Sequence, residues 1–131
     1  MTKKVLLVDD SEAINVMNSY FFRKCSSDLE IVVARNGKEA LAILEHPDHS
    51  LLPDLVILDL KMPVLDGLEV LEHLDSAEFN FQGSLKIILL STSMNPEDTR
   101  RIEKYPFVIS YFVKPLSMAQ VNLIVSNHLK E

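Results

Sequence analysis

The stretch that decides the fold is LVILDLKMPVLDG, residues 55–67. Four apolar residues, Leu55 to Leu58, run without alternation into Asp59, and Met62-Pro63 and Asp66-Gly67 follow within eight positions. An unbroken apolar run of this length fits a strand covered on both faces, as in a parallel sheet. The carboxylate at its end then lies at the sheet edge where such folds place their ligands.

Similar runs recur along the chain: KVLLV (4–8), EIVVA (30–34), KIILL (86–90) and SYFV (110–113). Between them lie helical periodicities. Ile14, Met17 and Phe21 form one expected buried stripe, Leu41 and Leu44 a second, Val70, Leu71 and Leu74 a third, and Val121, Ile124, Val125 and Leu129 a fourth. Asp66 with Glu69 and Ser117 with Gln120 have the spacing of reciprocal helix caps, and Leu116 with Val121 that of a hydrophobic staple. Asn95-Pro96 supplies a cap followed by a proline suited to the first helical turn. Strand and helix alternate five times, which predicts an α/β sandwich around a parallel sheet with right-handed crossovers.

The bulk properties exclude several classes of function. A chain of 131 residues, 47% apolar and 24% charged, fits one domain with a core of its own, and no linker or repeat divides it. The expectation is a single domain over 1–131 with no output domain. Net charge is -6 and the 13 basic residues are scattered, so nucleic acid is not an expected direct partner. No apolar run reaches the ~18 residues of a membrane span, and two acids interrupt the N-terminus before a signal-peptide core could form. The one cysteine, Cys25, permits no internal disulfide; a reducing, cytoplasmic location is expected, with Cys25 in a packing or surface role. His46 and His49 stand three apart with no second ligand pair nearby, so a metal site is not expected there.

Polar residues gather at the expected strand ends: Asp9-Asp10 after the first, Asp59 after the third, Ser91-Thr92-Ser93 after the fourth and Lys114-Pro115 after the fifth. Either acid group alone could be a helix cap. Together, three carboxylates in one cleft call for a compensating cation, and an all-oxygen set favours Mg²⁺. A hard cation beside a carboxylate and a lysine suits phosphoryl transfer, which needs positioning and charge neutralisation more than covalent chemistry.

VLLVDDSE, LVILDLKMPVLDG, IILLSTS and YFVKP, in this order and across essentially the whole chain, resemble the receiver domain of two-component response regulators, of the stand-alone chemotaxis-receiver kind. The resemblance implies a flavodoxin-like, doubly wound, five-stranded parallel sheet of order 2-1-3-4-5 with five helices. It also implies a function: acceptance of a phosphoryl group from a phosphohistidine on a sensor kinase or histidine phosphotransfer protein, catalysing only its own phosphorylation and dephosphorylation. By the same resemblance Asp59 is the phosphoacceptor and Lys114 the phosphoryl-binding cation. Asp9, Asp10, Asp59 and the backbone carbonyl of Lys61 are the Mg²⁺ ligands, with Asp10 direct and Asp9 acting largely through water. Ser91 is the switch hydroxyl, with Thr92 as fallback, and Tyr111 the aromatic that changes rotamer. Pro115 follows a cis bond, and a downstream protein binds the surface of about 95–130.

Three residues in two places depart from the family pattern. Phe107 and Val108 occupy the place of a small Gly-Ala pair, so the loop before the fifth strand must pack differently. Lys61, two residues after Asp59, puts a long cationic side chain beside the acceptor position, unlike receivers with a small polar residue there, and stands where aspartate-nucleophile phosphatases carry a second acid. That weighs against such a phosphatase. The remaining alternative is a receiver-like binding module that works without phosphorylation.

Overall fold

The computed structural model describes residues 2–76, 85–93 and 95–129; Lys130, at the end of the expected output surface, lies outside them. Five strands, β1 (Lys3–Val8), β2 (Leu29–Ala34), β3 (Leu55–Asp59), β4 (Ile87–Ser91) and β5 (Val108–Val113), form one sheet of order β2-β1-β3-β4-β5. All four neighbouring pairs are parallel. The helices among the described residues are α1 (Glu12–Cys25), α2 (Gly37–Leu44), α3 (Gly67–Ser76), α4 (Pro96–Glu103) and α5 (Met118–His128), with a short 3₁₀ turn at His49–Leu51. This is the flavodoxin-like, doubly wound arrangement that the strand–helix alternation and the family resemblance imply.

The sheet divides the core in two. Leu6, Val8, Val56, Leu58, Ile87 and Leu89 face α2, α3 and α4, while Val5, Leu7, Leu55, Ile57, Ile88 and Leu90 face α1 and α5. Alternate residues of β1, β3 and β4 thus enter different cores, which is why those runs are apolar without alternation. The rule stops at the sheet margins. The apolar runs of β2 and β5 predict burial on both faces, but as edge strands they alternate between half-buried and exposed residues along most of their length. β5 also carries a bulge: Val108 pairs with Ile87 and Ser110 with Ile88, leaving Ile109 unmatched.

The stripes of α2, α3 and α5 are buried as their spacing requires. That of α1 is not. Ile14, Met17 and Phe21 are only half-buried, and the inner face consists of Asn15, Asn18, Ser19 and Phe22, one position round the helix. Three polar residues on that face hid it from a reading based on apolar periodicity.

The caps fall where their spacing puts them. Asp66 and Glu69 exchange hydrogen bonds of 2.9 and 3.1 Å at the start of α3, and Ser117 and Gln120 do so at 3.1 and 2.9 Å at the start of α5. Asn95 accepts from the Asp98 N–H at 2.8 Å, and Leu116 and Val121 share one core cluster. Phe107 and Val108 pack half-buried against the α2–α4 core, with the Phe107 ring 5.6 Å from that of Tyr105.

Two glycines let the loop after β3 lie close. A Cβ on Gly67 would stand 2.6 Å from the Asp59 carbonyl oxygen, and one on Gly37 would stand 2.3 Å from that of Leu65. Between them Val64, 77% exposed, adopts a left-handed φ of 73°, a conformation that is strained for a β-branched residue.

A candidate phosphoryl-acceptor site at the strand ends

Parallel strands deliver their C-terminal residues to one edge of the sheet, and there Asp9, Asp10, Asp59, Ser91 and Lys114 assemble. Asp59 and Ser91 are the last residues of β3 and β4 rather than the first of the loops, and both are buried at 2% and 1% exposure. Asp9, 3% exposed, follows β1, and Asp10 beside it is exposed. The acid pair is not the cap of α1: Ser11 is, accepting from the Ile14 N–H at 3.3 Å. The capping alternative for Asp9-Asp10 therefore falls away.

Lys114 binds the group together. Its Nζ lies 2.7 Å from Asp9 Oδ2 and 3.0 Å from Asp59 Oδ2, and the peptide bond to Pro115 is cis. The Lys114 N–H donates to the Ser91 carbonyl at 2.8 Å, fixing the lysine to the end of β4. The other Asp59 oxygen, Oδ1, accepts from the Lys61 N–H at 3.1 Å, while the Lys61 residue itself is exposed. Among the described residues Asp9 Oδ2 has no partner besides the Lys114 ammonium.

Burial pushes the Asp59 carboxyl above its usual range, with the Asp9 charge adding to the effect and the bonds from Lys114 and Lys61 opposing it. Burial acts to lower the Lys114 ammonium, but its bonds to the two carboxylates prevail and raise it. An ammonium thus stays charged between two acids, one of which resists ionisation.

Oxygens of Asp9, Asp10 and Asp59 lie within 4.8 Å of one another. A hard divalent cation fits this set: the donors are all oxygen, one carboxylate is exposed to solvent and water, and a buried Asp9 oxygen has only a single cation beside it.

Ser91 Oγ donates to the Ser93 carbonyl at 2.6 Å and accepts from the Ser93 N–H at 3.3 Å, so its hydroxyl is occupied locally; Thr92 is exposed. Tyr111 is 43% exposed and lines a cleft of about 320 Å³ between α4 and β5, together with Thr99, Ile102 and Ile109. Cys25 is half-buried beside the α1/α5 core, and burial raises its thiol, which suits packing. His46 Nδ1 accepts from the Asp48 N–H at 3.0 Å within its loop.

Two features escaped the sequence reading. One is the shared Lys114 contact with Asp9 as well as Asp59. The other is Asn15, whose amide reaches the Asp9 carbonyl; a polar residue within the helix flanking the acid pair was its only signal.

The response regulator receiver domain model matches residues 5–126. The chain belongs to that family. It is 32% identical over 99% of its length to the alkaline phosphatase synthesis transcriptional regulatory protein PhoP of Bacillus subtilis, of which it spans half. To sporulation initiation phosphotransferase F of the same organism it is 28% identical over 98% of its length, spanning 95% of that protein. Among solved structures, a two-component response regulator from Cytophaga hutchinsonii superposes with a TM-score of 0.85 at 26% identity, covering 99% of this chain and 98% of that one. The phosphorylated cyanobacterial phytochrome response regulator RcpA gives 0.82 at 29% identity, with 99% and 96% covered. The receiver domain is thus a two-component signalling module in CheY-like form, and among its described residues no helix is long and apolar enough to cross a membrane.

Proposed function

We propose that this receiver accepts a phosphoryl group on Asp59 from a phosphohistidine of a sensor kinase or histidine phosphotransfer protein in the cytoplasm. The observation that carries the reading is the Lys114 ammonium between the Asp9 and Asp59 carboxylates, in a group that also includes Asp10. An isolated helix cap has no use for such a cation.

Asp59 attacks phosphorus; a P–O bond to its carboxylate forms as the P–N bond to the donor imidazole breaks, and the imidazole leaves with the bonding pair. Lys114 is already beside Asp59 and has only to shift its donors from carboxylate to phosphoryl oxygen, so little reorganisation is needed. The Lys61 N–H keeps the acceptor carboxylate in one rotamer. Asp9, Asp10, Asp59 and the Lys61 carbonyl would hold Mg²⁺, which when bound neutralises charge on the phosphoryl oxygens.

The product carries about two negative charges where the carboxylate carried one, at a buried strand end. Ser91 answers by leaving Ser93 and donating to the new oxygens, and Tyr111, exposed on β5, turns inward. The surface re-formed by α4, β5 and α5, about 95–130, binds the downstream protein. The module is a single domain whose only catalysis is of its own phosphorylation and dephosphorylation.

Beryllium fluoride, a phosphoryl mimic, tests the site directly. With Mg²⁺ present it should raise the melting temperature of the wild type, and the gain should vanish in Asp59→Asn and Lys114→Ala. No gain in the wild type would turn the reading to a binding module that works without phosphate.

A further inference from the structure

Asp9 and Asp10 can serve one site only if the peptide joining them keeps a fixed orientation. Three hydrogen bonds hold that turn. The Asp9 N–H donates to the Ala34 carbonyl at 3.1 Å, and Asp9 Oδ1 accepts from the Ser11 N–H at 2.9 Å. The Asp9 carbonyl, in the plane that leads into Asp10, accepts from Asn15 Nδ2 at 2.8 Å. Asn15 is 4% exposed and lies on the inner face of α1; its Oδ1 has no partner among the described residues. Burying an amide with an unmet oxygen is unfavourable, and its one hydrogen bond goes to the acid pair.

We infer that Asn15 is a positioning residue: by holding the Asp9 carbonyl it sets the direction in which the Asp10 side chain leaves the turn, and so the affinity of the Asp9–Asp10–Asp59 group for a divalent cation. The inference rests on the proposed cation-dependent function. Partners that orient metal ligands commonly set affinity over one to two orders of magnitude. The same helix contains a control. Asn18 is 2% exposed, also with an unmatched Oδ1, yet it makes no hydrogen bond to the β1–α1 turn. A general effect of buried amides on α1 would show at both positions; positioning shows at Asn15 alone.

Calorimetric titration of the full chain with Mg²⁺ tests this in wild type, Asn15→Leu and Asn18→Leu. Asn15 lines a cleft of about 280 Å³ between α1 and β2, which leaves room for the replacement. Asn15→Leu should weaken Mg²⁺ binding about tenfold and Asn18→Leu by less than about twofold. With acetyl phosphate as donor, the half-saturating Mg²⁺ for Asn15→Leu should rise about tenfold while the rate at saturation stays within about twofold. A purely structural defect would lower that rate too. Equal losses in both variants, or none in Asn15→Leu, overturn the inference; absence of Mg²⁺ binding in the wild type overturns the functional reading beneath it.

A nuclear magnetic resonance titration of the wild type needs no variant to fold. The Asn15 side-chain amide should shift with the same Mg²⁺ midpoint as the Asp9 and Asp10 backbone amides. An unmoved Asn15 signal beside moving turn amides contradicts the inference.

Discussion

Lys114 sets the energetics of the site, because it is the cation that lets Asp9 and Asp59 share a buried corner. Removing one partner of a buried ion cluster leaves uncompensated charge. Lys114→Ala should therefore lose about 3–5 kcal/mol in urea denaturation at neutral pH, with part of the loss recovered on adding Mg²⁺. Asp59→Asn removes the acid that burial disfavours in its charged form, and should unfold at higher urea than the wild type. Lys61 bears on lifetime rather than stability. Its exposed side chain stands two residues from the proposed acceptor, Asp59, where a long cation would obstruct the line of a hydrolytic water. The aspartyl phosphate should decay faster in Lys61→Asn, and an unchanged decay rate would dismiss the idea. Val64 holds strain that glycine would relieve, so Val64→Gly should stabilise the fold by about 1 kcal/mol, read as a shift in the denaturation midpoint. Asp9, Asp59 and Lys114 were legible because each follows an apolar run; Val64 and Asn15 were not, since neither the sign of φ nor a bond across a turn is written in residue type.

At the scale of elements, α5 joins a strong start to a titrating end. Ser117→Ala removes half of a capping box and should cost about 1 kcal/mol by thermal denaturation. At the other end His128 is held below its ordinary 6.5, first by burial and then by the charge of Lys86. The unfolded chain therefore takes up a proton before the folded one as pH falls. Stability contributed by neutral His128 is present above pH 6.5 and is lost as pH drops through 6.5 toward its lower folded value. His128→Gln should flatten that part of the stability profile; an unaltered slope would show that other groups cause it. The strands read most easily were β1, β3 and β4, whose two covered faces impose continuous apolar sequence. In β2 and β5 the sequence overstates burial because Val and Ile also line exposed edges, and in α1 apolar periodicity points one position off the inner face because that face contains Asn15, Asn18 and Ser19.

For the whole molecule, sheet order does the decisive work. With β1 and β3 adjacent at the centre and β4 and β5 beside them, acids from two strands, a hydroxyl from a third and a lysine from a fourth meet at one edge, over two cores that keep the strand ends rigid. Residues far apart in sequence could be grouped before the structure because a parallel sheet aligns all strand C-termini; the distances that make them one electrostatic unit could not. The most direct test of the account is the intact mass of wild type and Asp59→Asn after incubation with acetyl phosphate, with and without Mg²⁺. The account requires a gain of one phosphoryl group in the wild type with Mg²⁺ and none in the variant. Equal labelling of Asp59→Asn, or labelling indifferent to Mg²⁺, would contradict it.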